Sequence, residues 1–292
     1  MRFGGRRTSS NVGSQSGGGF PIGGGGGFRL GGGGLGCGGL VILIVISLIF
    51  GVDPMSLMEG GPAVVPQQQQ TEGAKTPEQI CGVDEVTRFS CQVLASTEDR
   101  WGELFAASGQ QYRPPTLEFY RGGGRSGCGA ASSSMGPFYC PRDQSIYLDT
   151  TFFDELARNY GAPGDFAQAY VIAHEVGHHI QTLSGTADRV RARQGRAGRA
   201  EGNRLSVLLE LQADCLAGVW GATEKQAMDP GDVEEGLRAA ASIGDDRLQQ
   251  QAQGYAVPES FTHGTSDQRV QWLKRGLQSG NPDSCDTFEG TL

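Results

Sequence analysis

Three of the four histidines in this chain lie in the segment HEVGHH, residues 174–179, which constrains the fold more than any other feature. The surrounding apolar residues recur at helical spacing, and a helix would place His174 and His178 on one face. Two imidazoles on one face can bind one zinc ion, and Glu175 can reach a metal-bound water without binding the metal. The segment therefore predicts a zinc site with Glu175 as the proton acceptor.

The third zinc ligand must come from another segment, because a catalytic zinc has three protein ligands and one open position. The metzincin pattern requires Gly and His where this chain has Gln181 and Ser184, so that class is excluded. The downstream segment ELQAD supplies Glu210 as the predicted third ligand. Asp214, four residues later on the same helical face, is predicted to hydrogen-bond a ligand histidine and hold its ring. Glu201 is the competing ligand, but we place it in a Gly-flanked loop without a partner at i+4.

The segments HEVGH and ELQAD together resemble the motifs of the gluzincin metallopeptidases. A closer resemblance, to the putative neutral zinc metallopeptidase family (the YpfJ-like proteins), extends over nearly the whole chain. It rests on the start MRFGGRR, the Gly-rich arm, a single apolar anchor and the segments YCPRDQSIYLD, AYVIAHEVGHHIQ, ELQADCLAGVW and HGTSDQRVQW. The resemblance implies a bacterial, membrane-anchored zinc peptidase.

The resemblance also suggests a role for His263, the one histidine outside the motif. A late histidine in gluzincins can stabilise the oxyanion that forms when water attacks a carbonyl. We therefore expect His263 to be a catalytic donor, with packing at a helix cap or in a loop as the alternative. His179 points about 100° away from His178 on a helix, so we interpret it as a packed or supporting residue. Asp267 and Arg269 are interpreted as structural, with contact to the site as the alternative.

The predicted fold class is α+β and thermolysin-like, with the peptidase domain at residues 77–287 and a tail at 288–292. The helices that carry HEVGH and ELQAD form the predicted active-site pair. The runs TLEFY and SIYLD are predicted strands, and the turn PRDQ returns the chain from FYC to SIYLD. We expect a small antiparallel sheet, in which the strand of Tyr147 could bind an extended peptide at a sheet edge.

The first 76 residues differ in composition from the domain. Residues 1–34 are rich in glycine, with arginine and no acidic residue, which predicts a disordered basic arm. The apolar run at 35–52 predicts a transmembrane anchor, with a buried core helix or a cleaved signal peptide as alternatives, and 53–76 predict a linker. Arginines precede the run and acidic residues follow it. The positive-inside rule therefore predicts a single pass, with the N-terminus in the cytoplasm and the domain in the periplasm or outside the cell.

The cysteines are consistent with a domain outside the cytoplasm. Six of the seven follow the apolar run: Cys81, Cys91, Cys128, Cys140, Cys215 and Cys285. An even number in this position is typical of an oxidising compartment. Closeness in sequence favours the pairs 81–91 and 128–140, which leaves 215–285. Buried free thiols are the alternative, and sequence alone does not choose among the pairings.

The predicted function is a zinc-dependent metalloendopeptidase that hydrolyses a peptide or protein substrate in the cell envelope. A zinc hydrolase of cell-wall amide bonds would use the same site, and a non-catalytic envelope scaffold with structural zinc is the third possibility. The formal net charge of the whole chain is −8, and the domain without the arginines of the arm is more acidic still. Because phosphate contacts need a basic face, we expect no nucleic-acid partner. The membrane is the other predicted partner, through the anchor, and the oligomeric state stays open.

Overall fold

The computed structural model describes residues 1–15, 75–289 and 291. The predicted anchor at 35–52 lies outside the described residues, as do residues 16–34 and nearly all of the predicted linker. Among the described residues, no helix combines the length and the apolar character needed to cross a membrane.

The helices and strands follow one another from the N-terminal segment to the C-terminus. The α-helices are α1 (Pro77–Cys81), α2 (Glu85–Ala107), α3 (Thr151–Arg158), α4 (Asp165–Leu183), α5 (Thr186–Gln194), α6 (Arg199–Gly221), α7 (Asp232–Ser242), α8 (Asp245–Gln253) and α9 (Ser266–Ser279). The strands are β1 (Val12–Ser14), β2 (Thr116–Tyr120), β3 (Gly123–Ser126), β4 (Gly129–Ser132), β5 (Phe138–Cys140) and β6 (Ser145–Asp149). The predicted α+β class is confirmed.

The main sheet has four strands in the order β1-β2-β6-β5. In this sheet β2 runs parallel to both β1 and β6, and β5 pairs antiparallel with β6. Strands β3 and β4 form a separate two-stranded antiparallel sheet. The prediction of an antiparallel sheet is therefore wrong for two of the three strand pairs of the main sheet. It held for the hairpin formed by FYC and SIYLD, which a local turn determines. The parallel pairs join segments that are distant in sequence. No local turn connects such strands, so the sequence gives no local signal for the pairing.

Helix α4 lies at the centre of the helical layer and is buried on most of its surface, from Phe166 to Gln181. It packs against α6 and α7, and α9 packs against α6 on the other side. The contact between α6 and α9 is close because Gly218 and Gly276 face each other there, and neither position has room for a Cβ atom. The helix that carries HEVGHH is therefore held by the core on several sides.

Three disulfide bonds join Cys81 to Cys91, Cys128 to Cys140 and Cys215 to Cys285. These are the pairs that sequence proximity favoured, and the alternative of free thiols is wrong for these six residues. The third bond ties α6 to the short 3-10 helix Pro282–Cys285. Phe288, just beyond it, packs on Leu205 and Leu209, so the domain extends into the predicted tail.

Residues 1–15 belong to the folded domain, in contrast to the disordered arm predicted for residues 1–34. Phe3 is only 2% exposed and packs edge-on against Phe89. Strand β1 adds to the edge of β2, and Arg6 forms an ion pair with Glu224 at 2.6 Å. The partners of this segment, such as Phe89, Glu224 and strand β2, are distant from it in sequence. The local excess of glycine and arginine therefore does not reveal them.

Shortening Phe3 should destabilise the whole domain. Truncation of a buried phenylalanine to alanine costs about 3–5 kcal/mol, so we expect Phe3→Ala to lower the free energy of unfolding of the full chain by about that amount. Chemical unfolding of the detergent-solubilised protein, followed by circular dichroism, measures it. Gly4→Ala is the control, because a Cβ at this neighbouring position has open space around it. Equal midpoints for the two variants would show that the segment does not stabilise the domain.

Candidate active site

Helix α4 presents the motif at the floor of a cleft. The helix begins at Asp165, and Gly164, with φ 122°, occupies the cap position. His174 and Glu175 are buried, and His178 is partly exposed to the cleft. Apolar neighbours on the helix, such as Val171 and Ile180, fix its rotation in the core and direct the two histidines together.

His174, His178 and Glu210 converge on one point. The Nε2 atom of His174 lies 3.2 Å from one oxygen of Glu210, and the Nε2 atom of His178 lies 3.5 Å from the other. One donor atom from each of the three residues lies within 4.8 Å of the other two. Ligand bonds of about 2.0–2.2 Å in a tetrahedral site place donors about 3.4 Å apart, so this spacing fits a zinc ion.

Gly177, inside the motif, permits this convergence. A Cβ atom at this position would lie 2.9 Å from the carbonyl oxygen of Ala213 on α6. Only glycine therefore allows α4 and α6 to approach so closely between the histidines and Glu210. The sequence analysis gave the glycine of HEVGH no role, and the packing of the two helices supplies one.

Asp214 lies against the ring of His174. Its Oδ1 atom lies 2.9 Å from Nδ1 of His174, which leaves Nε2 directed at the metal position. The same oxygen accepts a hydrogen bond from Tyr170 at 2.6 Å, and Arg269 donates to both carboxylate oxygens at 2.8 and 2.9 Å. Burial raises the pKa of Asp214, but Arg269 and His174 outweigh it and lower the pKa overall. Asp214 is therefore a buried carboxylate that stays ionised.

Sequence reasoning missed the roles of Arg269 and Tyr170. Arg269 was interpreted as structural, yet it lies 2% exposed against the carboxylate that holds a predicted zinc ligand. Tyr170 stands four residues before His174 and so shares its face of α4. The spacing of four residues could have indicated that Tyr170 lies near His174. Arg269 and Asp214 lie on different helices, so no such spacing relates them.

Gln181 holds the second histidine. Its side-chain oxygen lies 2.9 Å from Nδ1 of His178, and its amide nitrogen donates to the carbonyl oxygen of Leu209 on α6 at 2.7 Å. The sequence analysis used Gln181 only to exclude the metzincins. In the structure its amide orients His178 and joins the two helices that carry the metal ligands.

Glu175 and His263 reach the cleft from different elements. Burial raises the pKa of the Glu175 carboxyl group, partly offset by the nearby His178 and His174. His263 lies in the loop before α9, where the main-chain N–H groups of Thr262 and His263 both donate to Asp245 at 2.6 Å. Asp245 also lies 3.2 Å from Nδ1 of the His263 ring, a contact that the sequence analysis did not foresee.

The cleft between these residues has a volume of about 220 Å³. Glu175, His263 and the three predicted ligands line it on one side. Its other walls are mainly apolar, with contributions from Pro137, Phe138, Phe152, Val171, Leu209 and Ile243. A polar reactive centre in an apolar cleft is the usual form of a site for an organic substrate.

The other candidates lie away from the metal position. His179 is fully buried, with its ring 3.0 Å from the hydroxyl of Tyr139 and 2.6 Å from the carbonyl oxygen of Arg113. It is a packed residue, as interpreted. Glu201 lies in the first turn of α6 and not in a loop, and it pairs with Arg204 at 2.8 Å on the surface. Cys215 is held in a disulfide bond.

The donor set of two histidines and one glutamate is the set found in zinc-dependent peptidases. Residues 1–288 match the family described as "Putative neutral zinc metallopeptidase", and the chain belongs to this family. Membership implies Zn²⁺ as the cofactor, and the donor set of two imidazoles and one carboxylate fits that ion.

Two relatives align with most of the chain. The chain is 53% identical to the uncharacterized protein YpfJ of Escherichia coli K12 over 294 residues, which cover 99% of both chains. It is 40% identical to the uncharacterized protein Rv2575 of Mycobacterium tuberculosis H37Rv over 258 residues, 83% of this chain and 85% of that one. No solved structure matches the chain.

Gln181 offers a test of the zinc site that leaves all three ligands in place. Loss of a group that orients a ligand histidine typically lowers metal affinity 10–100-fold. We expect Gln181→Leu to bind zinc about 10–100-fold more weakly, and Glu210→Gln more weakly still, in competition with a chromogenic chelator. Glu201→Gln is the control and should bind zinc as the unaltered protein does. Unchanged affinity in Glu210→Gln would place the third ligand elsewhere.

Proposed function

We propose that this protein is a metalloendopeptidase that hydrolyses peptide bonds in extended segments of its substrates. The observation that carries the proposal is the convergence of His174, His178 and Glu210 in a cleft that also contains Glu175. The group of possible ligands at this point contains three residues among those described. A structural zinc site would be closed by a fourth protein ligand, so the open position favours catalysis over a scaffold.

In this proposal Glu175 moves the protons of the reaction. Zinc, when bound, supplies a Lewis acid that increases the acidity of water and polarises the substrate carbonyl. Glu175 accepts the proton of the attacking water and then delivers it to the leaving amine. Its burial beside the ligands supports the role, because a raised pKa suits a group that must both take and return a proton near neutral pH.

We propose His263 as the donor to the developing oxyanion. It lines the cleft together with Glu175 and Glu210. Burial lowers the pKa of His263, but Glu210 and Asp245 outweigh it and raise the pKa. With Glu210 bound to zinc, Asp245 is the partner that favours the protonated ring. Asp245 holds the loop and the ring together through its hydrogen bonds. A donor fixed in this way stabilises negative charge without reorganising during the reaction.

The proposed substrate-binding edge is β5. The strand of Tyr147, which was expected to run beside the peptide, is β6, and it lies inside the sheet between β2 and β5. Among the described strands, β5 ends the sheet on this side, and Phe138 and Tyr139 from it line the cleft. An extended peptide can pair its backbone with such an edge on both sides of the cleaved bond. This mode of binding supports an endopeptidase with a gluzincin-type, thermolysin-like helix pair.

The proposed place of action is the bacterial cell envelope. Three disulfide bonds in the described domain support an oxidising compartment. The apolar run at 35–52 remains the proposed attachment to the membrane. The same site could act on amide bonds of the cell wall, so cell-wall peptides belong among the substrates tested.

The function is tested with the full chain in detergent, loaded with zinc, and a diverse peptide library that includes cell-wall peptides. We expect cuts by the unaltered protein and by Glu201→Gln, and a loss of at least about 10²-fold in Glu175→Gln, which removes the general base. Mass spectrometry of the products measures the cuts, and metal analysis shows whether zinc is retained. Full activity in Glu175→Gln would refute the mechanism. Zinc-loaded protein that cuts no substrate would favour the scaffold.

The pH profile separates His263 from Glu175. A donor with a raised pKa works while protonated, so activity falls as pH rises through that pKa. We expect Asp245→Asn to shift the alkaline limb of kcat/KM to lower pH, because it removes a negative charge that raises the pKa of His263. Measurement of kcat/KM across pH 5–10 on a peptide identified above tests this. An alkaline limb that is identical in both proteins would contradict the role of the His263–Asp245 pair.

A further inference from the structure

Residues 9–15 are bound to the domain through hydrogen bonds of the polypeptide backbone. The N–H of Leu117 donates to Asn11 at 2.9 Å, and the N–H of Gln15 donates to Phe119 at 2.8 Å, so the segment pairs along the edge of β2. The N–H of Ser9 donates to Cys91 at 3.1 Å. These bonds depend on the path of the chain and not on a single side chain, which makes the segment a strand of the domain.

Side chains bury the start of the same segment. Phe3 is enclosed by the core, and the amide of Gln92 on α2 donates to the carbonyl oxygens of Phe3 and Arg6 at 3.0 and 3.2 Å. The amino group of Met1 lies 2.5 Å from Asp165, the first residue of the helix that carries the zinc ligands. The segment therefore reaches from the sheet to the beginning of α4.

The arginines of the segment are paired with acidic residues of the domain. Arg2 meets Asp229 at 3.1 Å, Arg6 meets Glu224 at 2.6 Å, and Arg7 meets Glu98 at 3.0 Å. These are three of the four arginines from which the cytoplasmic position of the N-terminus was predicted. Their charges serve a docking surface on the domain, which weakens the positive-inside argument for this segment.

We propose that residues 1–15 and residues 75–289 lie on the same side of the membrane. An apolar run that crossed the membrane once between them would put the two parts on opposite sides and separate every contact described above. The single-pass orientation predicted from the sequence and the observed sheet therefore exclude each other in one molecule.

The inference is independent of the proposed peptidase activity. It concerns only which parts of the chain share a compartment. If the disulfides place the domain outside the cytoplasm, the N-terminal segment is there too, against the disulfide at Cys91.

The first test compares the accessibility of two single cysteines in the full chain. The six cysteines of the domain are in disulfides, so Cys37→Ser gives a background without a free thiol. Gly4→Cys reports on the segment, at an exposed position with open space for a side chain, and Ala107→Cys reports on the exposed end of α2. A membrane-impermeant maleimide is applied to spheroplasts before and after permeabilisation.

The proposal expects the same labelling pattern at both positions. Labelling of both in intact spheroplasts, or of both only after permeabilisation, supports a shared side and also identifies that side. Labelling of Ala107→Cys in intact spheroplasts with Gly4→Cys labelled only after permeabilisation overturns the proposal. The reverse pattern overturns it as well.

A cross-link tests the docked arrangement directly. A Cβ built at Gly13 points at the carboxylate of Glu118 on the neighbouring strand, so Gly13→Cys with Glu118→Cys should form a disulfide in isolated membranes under mild oxidation. A protease site inserted after residue 60 then yields two fragments that stay joined until reduced. Either single variant should release its fragments without reduction. Release from the double variant, with both thiols still free, would contradict the proposal.

Discussion

The close approach of α4 and α6 is the constraint on which the site depends. Gly177 has no side chain at the point where the backbone of Ala213 passes, and the two helices therefore bring Glu210 to the histidines. Gln181 bonds across the same interface to Leu209. One interface thus sets both the position of the third ligand and the orientation of the second histidine.

A buried ion pair between Asp214 and Arg269 lies beside this interface. Asp214 and Arg269 are both almost inaccessible, and each offsets the cost of burying the other. Because Asp214 also faces His174, the pair fixes a ligand ring as well as neutralising a charge. Arg269 enters the core from α9 to reach Asp214 on α6, across the contact that Gly218 and Gly276 make close.

Much of the site was predictable from the sequence, because helical spacing determines which side chains share a face. His174, His178, Glu210 and Asp214 follow from that rule, and the structure places them together. Contacts between residues far apart in sequence were not predictable, such as those of Arg269 with Asp214 and of β1 with β2. The parallel strand pairs and the docking of residues 1–15 belong to this second group, since composition describes a segment and not its distant partners. A local turn was enough to predict the β5–β6 hairpin, and sequence proximity favoured the pairs Cys81–Cys91 and Cys128–Cys140, which left Cys215–Cys285.

The N-terminal strand also affects how this protein can be produced. A shortened chain that begins after the apolar run would lack β1, and the backbone groups of β2 would then lie open at the edge of the sheet. Exposed strand edges promote association between molecules. Insolubility of such a shortened chain would thus reflect a missing strand and not an unstable catalytic centre. A soluble version is better obtained by deleting residues between 16 and 74 and joining the two parts with a flexible linker.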